Sequence, residues 1–354
     1  MALAASFKSL LGALALVALA AQPTCAEPLP ALGADESRSS VSGLSSGAYM
    51  AGQFQIAFSS KVIGAGIVAG GPYGCANVPG TAYIPIWPVA LSLNLERALS
   101  RCMQDGGWLS SVPGADELAK HAEALADKGA IDPLAGVKGD RVYLFSGAGD
   151  DTVERAVVER AAELYADLGV PKGAIVFVKH EKAAHAFLTD HDGLACGTSG
   201  EPYINDCGYD QAKAILQTIY GPLRPAGAEA GGRYLTFEQT PFLRGLGPSG
   251  MADEGVAFIP QACADASGCA PHIVFHGCKQ GRDKIGDRFI KESGYARWAV
   301  ANRIVLLFPQ VTASEANPNG CWDWWGYTGR HFLDHAAPQM VAVHRMLERL
   351  AQHR

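Results

Sequence analysis

Val41-Ser42-Gly43-Leu44-Ser45-Ser46-Gly47-Ala48-Tyr49-Met50 decides how the rest of the chain is read. Within it, Gly43-Leu44-Ser45-Ser46-Gly47 fits G-x-S-x-G, the strand-to-helix turn that presents a serine nucleophile at the end of a strand. Such a turn needs small residues two positions either side of the serine, because a side chain there would meet the neighbouring strand and helix as the backbone reverses. In a chain holding 41 glycines the pattern alone also reads as an ordinary Gly/Ser turn, so its flanks must decide. Arg38 to Ser42 reads as a short extended run, and Met50, Phe54 and Phe58 follow at the spacing of one helix face. Ile63 to Gly71, apolar and glycine-ended, then suits a buried parallel strand. The expectation is an α/β fold with Ser45 at a strand–turn–helix junction.

Composition bounds the function. Of 354 residues, 48% are hydrophobic and 18% charged, enough to bury a large core and too ordered a balance for a disordered or fibrous chain. Lys8, the apolar run Leu10 to Ala21 and the small residues of Thr24-Cys25-Ala26 read as an export signal over residues 1–26, with a mature chain from about Glu27. Its removal takes away Lys8 and no acid, moving the formal net charge from -6 to -7. With no long Lys/Arg cluster either, a nucleic-acid partner is not expected. No stretch is long enough to span a bilayer, so the mature protein is expected to be soluble; a monomer is expected as well. Nine cysteines less Cys25 leave eight, an even number suited to an oxidising compartment. Their local groupings suggest pairing in sequence order: Cys75/Cys102, Cys196/Cys207, Cys263/Cys269 and Cys278/Cys321. No C-x-x-C spacing supports a zinc or thioredoxin-type site.

Further along, Arg141 to Gly147 reads as a strand, followed by Asp150-Asp151-Thr152 before a helical run from Glu154 to Gly169. An acid at the carboxyl end of a strand is where open α/β sheets place functional side chains, although either aspartate also reads as a helix cap. Ala174 to Val178 is another strand, leading to Ala183-Ala184-His185-Ala186-Phe187. The order Ser45, Asp150, His185 is the nucleophile, acid, base order of α/β-hydrolases. His180 and His191 read as surface residues. Residues 222–232, rich in Gly, Ala and Pro, form a linker-like joint, and a second block of strands follows it. That block contains His276-Gly277, an oxyanion-type loop, about 230 residues after the elbow, whereas in α/β-hydrolases this loop precedes the nucleophile. A circular permutation across the joint resolves the order. The fold expected is therefore an α/β-hydrolase, circularly permuted, with a mostly parallel central sheet flanked by helices and one catalytic domain over 27–354.

Together these residues resemble the PHB depolymerase family of esterases, single-domain and circularly permuted, over nearly the whole mature chain. The likeness rests on Gly43 to Met50, Ala69-Gly70-Gly71-Pro72-Tyr73, Gly147 to Val153, Ala184 to Phe187, His276-Gly277-Cys278-Lys279-Gln280 and Asn317-Pro318-Asn319-Gly320-Cys321-Trp322-Asp323-Trp324-Trp325. The family pattern G-x-x-D-x-x-V falls on Gly147, Asp150 and Val153 and so implies Asp150 as the triad acid. The resemblance also implies an oxyanion hole from the Ser46 and Cys278 amides, and an aromatic loop (Trp322, Trp324, Trp325) that approaches the polymer, with Tyr49 grouped as substrate-binding. On composition alone that loop reads equally well as a disulfide-stapled core cluster. His331 and His335 lie a turn apart around Asp334, but helix-surface polarity is the better reading, and neither a metal nor a cofactor is expected. The implied function is hydrolysis of poly(3-hydroxybutyrate) or its oligomers outside the cytoplasm, in periplasm or medium. Its rivals are a feruloyl or acetyl-xylan-type esterase with the same triad, and a non-catalytic surface-binding protein. Contact with solid polymer is expected from the domain itself, at the three tryptophans.

Overall fold

Eight strands from both sides of the 222–232 joint form one sheet in this computed structural model, which describes residues 26–80, 84, 86–106 and 111–354. The expected export signal, up to Cys25, lies outside the described residues. In chain order the first half gives β1 (Ser39–Leu44), α1 (Ser46–Ala57), β2 (Val62–Val68), α2 (Trp87–Arg101), α3 (Ala115–Asp127), β3 (Arg141–Gly147), α4 (Arg155–Asp167) and β4 (Ile175–His180). A small sheet of β5 (Phe187–Thr189), β6 (Leu194–Ala195) and β7 (Ile204–Asp206) follows, then α5 (Gln211–Tyr220). Beyond the joint come β8 (Gly232–Glu238), β9 (Glu254–Pro260), α6 (Gln261–Asp265), β10 (Ala270–Phe275), α7 (Arg282–Ile285), α8 (Arg288–Glu292), α9 (Tyr295–Asn302), β11 (Ile304–Phe308) and α10 (Pro338–Ala351).

The large sheet runs β4-β3-β2-β1-β10-β11-β9-β8, with β9 antiparallel to both neighbours and every other pairing parallel. Counted from β8, the strands lie in the order 1-2-4-3-5-6-7-8, and the loop after the third strand begins at His276-Gly277. That is where an α/β-hydrolase carries an oxyanion donor, and the nucleophile turn then follows the fifth strand.

Two apolar layers cover the sheet. Phe54 of α1, Leu118 of α3, Leu164 of α4 and Met346 of α10 belong to one, while Ile215 of α5, Phe289 of α8 and Trp298 of α9 belong to the other. Each such side chain contributes about 1.5–3 kcal/mol through burial. The sequence suggests one buried face for α1, yet every residue of this helix is buried. The reason is a second cover: the Gln53 amide donates to the carbonyls of Asp323 (2.9 Å) and Phe332 (3.3 Å), holding the 322–335 loop along the side away from the sheet. Beneath β1 the polar residues are buried as a chain. Tyr220 and Ser40 hydroxyls lie 2.6 Å apart, Ser40 and Ser42 bind the two ring nitrogens of His272 (2.6 and 2.8 Å), and Ser42 meets the Tyr295 hydroxyl at 2.6 Å. Burial pulls His272 down to about 3, so it is a neutral strut between β1 and β10.

Four disulfides join the cysteines in sequence order, Cys75–Cys102, Cys196–Cys207, Cys263–Cys269 and Cys278–Cys321.

Candidate active site

The turn at Ser45 is built by its two glycines. A Cβ on Gly43 would stand 2.3 Å from the Gly47 carbonyl carbon, and one on Gly47 would stand 2.3 Å from the Phe275 carbonyl oxygen, so neither position admits a side chain without moving backbone. Ser45 itself is a non-glycine residue at φ 57, ψ -121, a strained conformation held by its amide bond to the Val68 carbonyl (2.9 Å) and by the Ala48 amide on its own carbonyl (2.9 Å). Among the residues of this turn, Ser45 alone is partly open to solvent; Gly43, Leu44, Ser46 and Gly47 are buried.

Parallel pairing brings the carboxyl ends of β1, β3, β4 and β10 to one edge of the sheet. Ser45 follows β1, Asp150 follows β3, His185 lies in the loop after β4, and Gly277-Cys278 follow β10. The Ala148 amide donates to the His180 carbonyl (2.8 Å) and the Gly149 amide to Ala183 (2.9 Å), which ties the acid loop to the histidine loop. As a result His185 Nδ1 stands 3.0 and 2.9 Å from the two carboxylate oxygens of Asp150, both residues being buried. Asp150 also accepts from the Thr152 and Val153 amides at 2.9 Å, so the same carboxylate folds its loop and orients the ring. Asp151 is exposed, and its carboxylate accepts a 3.5 Å bond from the Thr152 hydroxyl. A carboxylate against Nδ1 makes that nitrogen the donor and leaves Nε2 as the basic atom.

The loop after β10 is braced by Gln280, whose place in His276-Gly277-Cys278-Lys279-Gln280 gives no sign of this role in sequence. Its Oε1 accepts the Gly277 amide (2.7 Å), while its Nε2 donates to the carbonyls of Pro202 (2.8 Å) and Tyr203 (3.1 Å). With the Gly277 amide engaged, the Cys278 amide is left; among the described residues neither it nor the Ser46 amide donates to another protein group. His276, pulled down to about 4 by burial, accepts the Val311 amide (3.3 Å) as a neutral ring. The Cys278–Cys321 disulfide joins this loop to the tryptophan loop, whose Trp322 amide donates to the Ser46 hydroxyl (3.3 Å).

The aromatic residues depart from the expectation of an exposed platform. Trp322 is fully buried against Phe275, and Trp324 and Trp325 are 7% and 8% exposed. Trp324 stacks on Tyr49 at 4.1 Å, and the Tyr49 hydroxyl donates to the Cys102 carbonyl. The three tryptophans are turned inward because Asp323, accepting from the amides of Gly326, Tyr327 and Thr328, curls the loop onto α1. His191 is exposed, as read, but His180 is half-buried and its Nδ1 accepts the Ala183 amide (3.1 Å). His331 pairs with Asp334 (2.7 Å) and His335 with Asp132 (3.3 Å), two separate partnerships. Among the described residues one group has ligand-like spacing, His180 with Cys196 and Cys207, but those two thiols are joined in a disulfide.

A strained elbow serine, an acid–histidine pair and a mostly parallel sheet define a protein of the α/β-hydrolase class. No model of a known protein family matches the sequence. The chain is 38% identical over 328 residues to a poly(3-hydroxybutyrate) depolymerase of Delftia acidovorans, covering 91% of this chain and 61% of that protein, so it spans about three-fifths of that relative's length. It is 33% identical over 347 residues to a polyhydroxybutyrate depolymerase of Talaromyces funiculosus, covering 93% and 94% of the two chains. The crystal structure of PHB depolymerase from Penicillium funiculosum superposes with a TM-score of 0.80 at 30% identity, over 92% of this chain and 98% of that one. A PHB depolymerase complexed with an R3HB trimer and bearing a serine-to-alanine substitution matches with the same figures. The chain belongs to the polyhydroxybutyrate depolymerase family.

Proposed function

We propose that this chain is a secreted serine esterase that hydrolyses poly(3-hydroxybutyrate) or its oligomers through an acyl-enzyme. Ser45 Oγ attacks the ester carbonyl as His185 Nε2 takes its proton, and Asp150 holds Nδ1–H and supports the imidazolium that forms. The amides of Ser46 and Cys278 receive the developing oxyanion; one such donor is worth about 3 kcal/mol of barrier. Collapse passes the proton from Nε2 to the departing hydroxyl of the polymer chain. Water, activated by the same histidine, then releases the acid.

The observation that carries this reading is the 2.9 Å contact of His185 Nδ1 with Asp150 on the sheet edge that also bears the Ser45 turn. The named activity of the relatives supports the substrate, and four disulfides support an oxidising compartment. Two measurements test it. A fluorophosphonate probe is expected to label Ser45, and the purified mature protein is expected to clear a suspension of poly(3-hydroxybutyrate). No adduct on Ser45 removes the enzyme reading; an adduct without clearing, but with release of feruloyl or acetyl groups from xylan, moves the substrate to plant esters.

A further inference from the structure

A cavity of about 700 Å³ opens between α2, α3 and the 330–334 loop, within the size range of small-molecule sites. It is separate from the elbow. Its 330–334 wall is tied to α1 where the Gln53 amide donates to the Phe332 carbonyl, about two helical turns beyond Ser46. None of Ser45, Asp150 and His185 lines it.

The lining has two characters. Val78, Leu118, Leu125 and Leu333 give it apolar walls, and Trp87 lies at its edge with the Arg330 guanidinium 4.9 Å from the ring centroid. Four cations line it, Arg97, Lys120, Lys128 and Arg330, against two lining carboxylates, Glu117 and Asp334; Lys120 is also paired with Asp116 beside the lining (3.2 Å), so an excess of one positive charge is left in a chain whose net charge is -6. Arg97 is held in place, its Nε donating to the Cys75 carbonyl (2.9 Å) and its Nη2 meeting Glu117 at 3.4 Å. Lys128 is exposed and forms no ion pair among the described residues. His121, in the same wall, is lowered by burial first and then by Lys128 and Arg97, with Glu117 acting against them.

We propose that this cavity binds the carboxylate end of a short 3-hydroxyalkanoate oligoester, with the anionic head near Lys128 and Arg97 and the apolar body along the leucine walls. The choice of ligand rests on the esterase reading, because each hydrolysed bond leaves one new carboxylate end and one hydroxyl end. Excess positive charge beside an apolar wall suits a carboxylate-ended chain and gives a neutral ester no equal partner. The site would hold product away from the nucleophile.

Calorimetric titration of the Ser45→Ala protein, which cannot turn over, tests this with the 3-hydroxybutyrate trimer acid and its methyl ester. The acid is expected to bind at two sites per chain and the methyl ester at one, with the second acid site weakening as salt rises. Lys128→Glu in the same background is expected to weaken that second site more than ten-fold, while Lys128→Glu alone hydrolyses a soluble p-nitrophenyl ester at the wild-type rate. One site for both ligands, or a second site indifferent to Lys128→Glu, overturns the proposal even in a fully active esterase. A second, Lys128-dependent acid site in a wild-type chain that hydrolyses no ester would instead uphold the cavity and remove the proposed function.

Discussion

At Ser45 the geometry and the chemistry make the same demand: a serine forced to positive φ between two glycines that cannot carry a Cβ. Under the proposed mechanism, Ser45→Ala and His185→Ala are each expected to cost about 10⁶ in kcat, because triad members act as a unit. Asp150→Asn is expected to cost about 10⁴ by mis-setting the histidine tautomer. Asp151→Asn, at an exposed carboxylate that does not touch His185, is expected to stay near wild type; kinetics on a soluble ester that reversed this ranking would move the acid to Asp151. Under the same mechanism Gln280 acts as a positioning residue, since it occupies the Gly277 amide and leaves the Cys278 amide as the donor proposed for the oxyanion. Gln280→Met is expected to lower kcat with little change in KM, by less than the roughly 10²–10³ that losing an oxyanion donor costs. A rise in KM with kcat intact would show that the brace serves substrate binding instead.

At the scale of elements, strands and helices with a strong apolar period are legible, and so are the strand-end loops that bring Asp150 and His185 into contact, because strand ends announce themselves by small residues. β1 was legible only in part: its reading stopped at Ser42, whereas the strand runs to Leu44. Nothing in the sequence pairs Ser40 and Ser42 with His272, more than 200 positions away. The inward turn of the tryptophan loop is illegible for the same reason, since it depends on Asp323, Gln53 and Gln339, contacts that no local pattern encodes. Another such contact makes a pH prediction at the start of β3. Asp140 is buried and accepts from the Gln55 amide (2.6 Å), and burial pushes its carboxyl up to about 7, against about 3.9 in an unfolded chain. Between those values the folded state keeps a proton that the unfolded state has lost. Its contribution to stability is therefore full below pH ~4, falls by at most about 1.4 kcal/mol per unit as pH rises, and is gone above ~7. Asp140→Asn keeps the acceptor for Gln55 and removes the titration, so the Tm of the variant relative to wild type is expected to climb from pH 4 to pH 8. A Tm difference independent of pH would show that Asp140 ionises as freely in the fold as outside it.

At the scale of the whole molecule, work on a solid polyester needs a surface that adheres as well as a site that cuts. The tryptophans cannot supply it, being buried; Trp324→Ala is expected to lower Tm, with about 3–5 kcal/mol lost from the packing on Tyr49, and to reduce polymer and soluble-ester hydrolysis alike. The apolar side chains that do face solvent are gathered elsewhere. Among the described residues six large hydrophobics are exposed, and five of them, Ile86, Val89, Leu93, Leu95 and Leu99, lie on α2 or at its N-cap. The helix packs through Ala90, Asn94 and Ala98, small or polar residues whose inner face is anchored by the Asn94 amide on the Trp325 carbonyl (3.1 Å), so its larger apolar residues are turned outward. Under the proposed function, such a concentration on one element is where contact with an uncharged polyester is expected. Val89→Ser with Leu99→Ser is expected to leave Tm and p-nitrophenyl ester hydrolysis unchanged, since neither side chain is buried, and to weaken adsorption to a poly(3-hydroxybutyrate) film and clearing of its suspension several-fold. Only the polymer uses a contact remote from the scissile bond. Wild-type adsorption by the double variant would mean that α2 does not hold the polymer and that adhesion comes from a face whose apolar residues are individually less exposed.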